Sequence, residues 1–233
     1  LGEILPGAPT ARVFEEGYTP QVTDIGDRHP VTAGLEEFAP RTDDDTPGWG
    51  RWFRLVDIVV PDTAQTVMSG LGGRPLLTLD RIGEGRVALI ASDQSWLWDR
   101  GFEGGGPQLE LLRRLAHWMM KEPDLEEGAL FAEARGQTMR IIRRTLNETA
   151  DDVTITHPDG TQTVLRLKQT APGRFETLWT APDIGLYRLA EGEFEAVTAL
   201  GPAAPREFEQ TIATGDVIRP AVDATRGGIL RIS

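Results

Sequence analysis

Gly83-Glu84-Gly85-Arg86-Val87-Ala88-Leu89-Ile90-Ala91-Ser92-Asp93-Gln94-Ser95-Trp96-Leu97-Trp98 decides the reading of the first half of this chain. It runs on through Gly104-Gly105-Gly106-Pro107 into a helical pattern that ends near Lys121. The order is tight turn, buried strand, loop rich in tryptophan and glycine, then helix. Val87 to Ala91 is a continuous apolar run bounded by turn signals, which predicts a strand buried on both faces of a parallel sheet. Open sheets of that kind place ligands where a strand ends and a helix begins. Ser92-Asp93-Gln94 is therefore expected on the sheet rim, and the loop after it is where a site belongs.

Downstream, Gly106-Pro107 suits a helix start, because proline is preorganised for the first helical position. Leu109, Leu112, Leu115, Ala116 and Met119 form one apolar stripe, widened by Leu111 and Trp118. Glu110, Arg113, Arg114, His117 and Lys121 fall opposite, so His117 reads as a solvated surface residue. Glu122-Pro123 ends the helix, and the acidic run Asp124-Leu125-Glu126-Glu127-Gly128 marks the domain boundary.

Upstream, residues 1–20 hold Pro6, Pro9 and Pro20 and read as a loop-rich lead-in. His29 precedes Pro30 and so belongs to a turn or strand entry rather than a helix. Residues 39–50 read as a surface loop; Asp43, Asp44 and Asp45 lack the alternating oxygen spacing of a calcium loop. The β-rich stretch 52–60, Val67–Gly70 and Pro75–Leu79 are three further strand segments, and Arg81–Arg86 is a hairpin turn.

Beyond Ala129 the pattern becomes β. Strands are expected at Thr138–Thr145, Val153–His157, Thr161–Lys168, Arg174–Thr180, Leu186–Glu191 and Phe194–Leu200, with a hairpin turn at Pro158-Asp159-Gly160. Such spacing describes a β-sandwich of immunoglobulin type. Pro182–Tyr187 resembles the corner in which a tyrosine hydroxyl ties a loop to its strand, which gives Tyr187 a structural role. The tail carries a charged link at Pro205–Gln210, a short helix around Asp216–Asp223 and a last strand start at 227–232. The chain starts at Leu1 and reads as a piece of a longer protein.

With 233 residues, 39% hydrophobic and 26% charged, the chain has material for two ordinary cores. Its net charge of -12 argues against a nucleic-acid partner, whose phosphates need a basic face. Cysteine is lacking altogether, which removes disulfides, thiolate metal sites and cysteine nucleophiles. Three scattered histidines make no zinc site. No cofactor or metal is expected, and no apolar run approaches the ~18 residues of a membrane span.

Two readings of the rim loop stay open. Trp96, Trp98, Arg100, Phe102 and Glu103 offer aromatic faces and both charges for a sugar or a peptide, and Gly104, Gly105 and Gly106 a cradle for an anion at the helix start. Asp93, Gln94 and His29 complete this candidate ligand-binding set. Alternatively, the tryptophans pack between sheet and helix and the glycines only make the turn.

His29–Leu35, Gly50-Arg51-Trp52-Phe53, Gly85-Arg86-Val87, Ser92–Trp98 and Gly104–Pro107 together resemble the extracytoplasmic region of a group of alphaproteobacterial membrane proteins. In these, a class I glutamine amidotransferase-like domain precedes an immunoglobulin-like one. The resemblance implies a flavodoxin-like α/β domain over residues 1–127, with the first half of its sheet missing, and a sandwich over residues 128–233. It also implies a periplasmic position at the inner membrane and other envelope or membrane proteins as partners, in systems with a von Willebrand-type domain and a cytoplasmic ATPase. The residues depart from the family at its chemistry. No cysteine nucleophile exists, no Gly-x-Ser-x-Gly elbow replaces it, and no histidine stands near Ser92-Asp93-Gln94. The expectation is a non-catalytic binding module, with a cysteine-independent hydrolase or carbohydrate-processing enzyme using Asp93 and His29 as the alternative.

Overall fold

The computed structural model describes residues 4–38, 48–201, 222, 224 and 225. The expected loop at 43–45 and the tail elements fall outside these. The first half contains β1 (Ala8–Phe14), β2 (Gln21–Val22), α1 (Asp24–Arg28), β3 (Leu55–Val59), β4 (Gln65–Ser69), β5 (Pro75–Ile82), β6 (Gly85–Ile90), α2 (Trp96–Asp99) and α3 (Gln108–Met119). One sheet runs β2-β4-β5-β6, and β1 pairs with β3. A hydrogen bond from the Val56 amide to the Ala91 carbonyl (2.8 Å) joins β3 to the end of β6.

Every strand pairing is antiparallel, which corrects the parallel, flavodoxin-like sheet expected from the Val87–Ala91 run. The cause is local. Gly83, at φ +56, and Glu84 close a tight hairpin between β5 and β6, and a hairpin leaves its second strand antiparallel to its first. Nor is the run sealed on both faces as expected: β6 packs against α3, but Val87 to Ile90 are only half-buried and Ala91 alone in the run is buried.

The helix α3 also differs from its expected orientation. It buries Leu111, Leu115 and Trp118, whereas Leu109, Leu112, Met119 and Met120 are exposed, Leu109 at 81%. Trp118 sets the rotation: its indole carries the largest apolar area on the helix and donates to Glu127 (2.9 Å). Pro107 stands one place earlier than expected, at the cap, with Gln108 opening the helix.

From Ala129 to Leu200 the regular elements are all strands: β7 (Ala129–Arg135), β8 (Thr138–Arg144), β9 (Val153–Thr156), β10 (Gln162–Leu165), β11 (Lys168–Ala171), β12 (Arg174–Thr180), β13 (Gly185–Glu191) and β14 (Phe194–Leu200). They form two antiparallel four-stranded sheets, β10-β9-β13-β14 and β11-β12-β8-β7. Alternating residues of both, among them Met139, Ile141, Val153, Ile155, Phe175 and Leu189, close one core, so the sheets make a sandwich. The β9–β10 hairpin turns at Pro158-Asp159-Gly160 as expected, with Gly160 at φ +85. The Tyr187 hydroxyl donates to the Asp183 carbonyl at 2.6 Å, the corner anticipated for it.

Candidate functional site

The rim loop divides between core and surface. Trp98 is buried, packs against Trp49 and Trp52 at ring separations of 5.2 and 4.8 Å, and donates from Nε1 to the Gly50 carbonyl at 2.8 Å. Gly106 lies so close to that indole that a Cβ would stand 2.4 Å from it. Gly104 and Gly105 have φ of +95 and +77, and the Gly105 carbonyl accepts from the Gly50 amide at 2.7 Å. These glycines shape a close turn around Trp98. Trp96, at 53%, and Arg100 face solvent.

Asp93 is exposed and pairs with Arg54 (3.1 Å), and the Gln94 side-chain carbonyl accepts from the Phe53 amide. Ser92 Oγ donates to the Arg54 carbonyl at 2.6 Å, which the Tyr18 hydroxyl also reaches (3.0 Å). Burial pushes the Tyr18 pKa up to about 12, so the phenol stays a neutral donor.

His29 sits in a different environment. It caps α1 with extended geometry and is 0% exposed, with Nδ1 accepting from the Val31 amide (3.2 Å). Nε2 therefore carries the proton and points at Glu127 Oε1, 3.4 Å away, with the Trp118 ring edge-on at 5.8 Å. Burial lowers the His29 pKa and keeps the ring neutral. Burial alone would raise Glu127, but the close approach of His29 Nε2 and the hydrogen bonds from Arg81 outweigh it and hold this carboxylate well below its ordinary range. Glu126, next to it, takes Arg81 and Arg86. The acidic stretch is thus a clamp that seats the link between the two halves on the first core. Asp93 and His29, expected to share an acid–base role, are not brought together: one answers to Arg54 in solvent, the other to Glu127 in the interior.

Among the described residues a larger hollow than any at the rim lies elsewhere, between the two halves. It has a volume of about 600 Å³; Asp27, Arg28 and Glu36 from the α1 side and Arg144 and Arg174 from the sandwich line it. Arg28 Nε donates to the Leu146 carbonyl across the junction (2.6 Å), and Gly173, at φ +65, lies against Arg28 so tightly that a Cβ would come within 2.8 Å of it. Arg144 donates to the backbone carbonyls of Pro123 and Asp124 and stacks over Phe131 at 4.8 Å. Among the described residues neither Arg28 nor Arg144 makes an ion pair with a carboxylate. Burial, with Arg174 nearby, lowers the Arg144 pKa, and the charges of Asp124 and Glu126 offset this only in part. The cleft escapes a sequence reading because its arginines come from distant segments. The only local signal is the density of Arg140, Arg143 and Arg144 on one strand.

No protein-family model matches this chain, and no curated protein matches it. Among solved structures it is similar to a cold-adapted β-galactosidase from Rahnella sp. R3, at 13% identity over 77% of this chain and 23% of that one, with a TM-score of 0.33. A β-galactosidase from Bacillus circulans sp. alkalophilus matches at 11% identity over 77% and 25%, with a TM-score of 0.29. The chain spans about a quarter of the length of these enzymes.

Proposed function

We propose that this chain is a non-catalytic binding module that takes an anionic group, carboxylate or phosphate, in the cleft between its two halves. The observation that carries the reading is the pair Arg28 and Arg144, which reach the cleft from opposite walls and are held by backbone carbonyls rather than by carboxylates. A guanidinium has five donors in a planar fork, so each keeps N–H groups for a planar anion. The strand order β11-β12-β8-β7 against β10-β9-β13-β14 supports an immunoglobulin-type sandwich, a scaffold suited to presenting such a surface. An extracytoplasmic setting, with envelope proteins as partners, is the context that the resemblance of the His29–Leu35 and Ser92–Pro107 segments supports.

Calorimetric titration with succinate and, separately, inorganic phosphate tests this and distinguishes the two anion types. Binding by either is expected, weakened at least tenfold by Arg144→Gln or Arg174→Gln and unchanged by Arg100→Gln on the rim. No binding of either anion, or binding indifferent to both cleft substitutions in variants that keep the native circular dichroism spectrum, overturns the reading.

A further inference from the structure

The cleft is the first of three hollows that share walls. Asp124, Arg144 and Arg174 also line a second, of about 280 Å³, with Phe131, Glu133 and Ile142. Glu133 in turn belongs to a third, of about 190 Å³, with Arg135, Thr138, Arg140 and Leu178. Together they make one groove that leaves the junction and follows β8 across the outer face of its sheet.

The register fixes what the groove presents. Alternate residues share a sheet face, so Thr138, Arg140, Ile142 and Arg144 face outward on β8. Opposite them stand Arg135, Glu133 and Phe131 on β7, and Leu178, Glu176 and Arg174 on β12. Cations thus stand at both ends, Arg144 with Arg174 and Arg140 with Arg135, and between them Ile142, 4% exposed, and Phe131, partly covered by the Arg144 guanidinium, give a narrow apolar floor. Leu178 is 72% exposed, a large apolar side chain on a strand face. Glu176 bonds Arg140 (2.8 Å) and also pairs with Arg174, which holds both guanidinium groups in place while leaving N–H donors on each.

The geometry points to an extended polypeptide segment with the pattern acidic-x-apolar-x-acidic as the partner of this groove. The inference rests on the cleft reading above and deepens it. Arg144 and Arg140 are four residues apart on one strand, about 13 Å at the rise of an antiparallel strand. An extended peptide lying along β8 repeats that spacing between its residues i and i+4, and its residue i+2 falls over Ile142 and Phe131. One carboxylate meets Arg144 and Arg174 at the cleft, and the other meets Arg140 and Arg135. A polyphosphate backbone fits worse: its unbroken negative charge would pass Glu176, which stands beside Ile142 between the two cation pairs, where the peptide places an uncharged residue.

The experiment titrates the whole chain with a nine-residue peptide centred on Glu-Ser-Leu-Ser-Glu, with succinate and single-stranded DNA as comparators. The peptide is expected to bind at least tenfold more tightly than succinate. Arg140→Gln, or Leu178→Asp at a position open to solvent, should weaken the peptide about tenfold and leave succinate unchanged. Replacing the peptide leucine by serine should do the same. A peptide no tighter than succinate, or one indifferent to Arg140→Gln and Leu178→Asp, overturns the groove and leaves the cleft reading intact. Failure of both ligands overturns the cleft as well. Tighter binding of the DNA with the same Arg140 dependence overturns the polypeptide assignment.

Discussion

His29 and Glu127 carry opposite natural tendencies in one buried contact, and stability should record both as pH falls. The ordinary pKa of histidine is 6.5, and burial lowers it here. Below pH ~6.5 the unfolded chain therefore binds a proton that the folded one refuses, and stability declines as pH drops through that value. Glu127 has an ordinary pKa of 4.5, and its partners depress it. Its contribution is full above pH ~4.5 and is lost as pH falls from there towards its folded pKa. Urea unfolding midpoints measured against pH should thus decline in two stages. His29→Gln should flatten the first stage and Glu127→Gln the second. A wild-type midpoint that stays level from pH 7 to 5 would contradict the neutral, sealed histidine.

An element shows in sequence where its own residues impose it, and α3 marks where that stops. Its helical period and its charged face are plain from Leu109 to Met119, but not which part of the apolar arc faces inward, because that arc covers about half of the circumference. The structure buries the side with Trp118, so Leu111→Ala should cost about 2–5 kcal/mol as a core truncation. Leu109→Ser should stay within about 0.5 kcal/mol, as an exposed substitution does. Chemical denaturation of the two variants decides it, and a larger loss at Leu109 would reverse the orientation. The hairpin at Pro158-Asp159-Gly160 and the Tyr187 corner were legible for the same local reason, turn chemistry within a few residues. By contrast β11 does not show in the sequence: the expected strand Thr161–Lys168 covers β10 and only the first residue of β11, whose four residues are all exposed and give no alternation. The lead-in hid β1, a strand that begins with a proline at its second position and has a register shift after it. Antiparallel order in the first sheet is visible in the Gly83-Glu84 turn, but the apolar run beside it argues for burial, and burial on both faces favours parallel pairing. Of the candidate site, only the rim was visible. The groove needs Arg28, Arg144, Arg174 and Arg140 to be gathered by the tertiary fold.

At the scale of the molecule, two fastenings stand out between the cores on either side of the acidic stretch, beside the Arg144 bonds to the Pro123 and Asp124 carbonyls. The first is the clamp, where Arg81 and Arg86 hold Glu126 and Glu127. The second is the junction, where Arg28 reaches Leu146 and lies under Gly173. Domain interfaces of modest polar contact leave each core able to unfold by itself unless such fastenings couple them. Both cores should therefore melt together in the native chain, as one calorimetric transition. An Arg28→Ala/Arg81→Ala variant loses a guanidinium at each fastening while touching neither hydrophobic core, since Arg81 is solvent-exposed and Arg28 is only half-buried. Its transition should split in two. Two transitions in the native chain would mean that the cleft walls are not held at a fixed separation, and one transition in the double variant would mean that Arg28 and Arg81 are not what couples them.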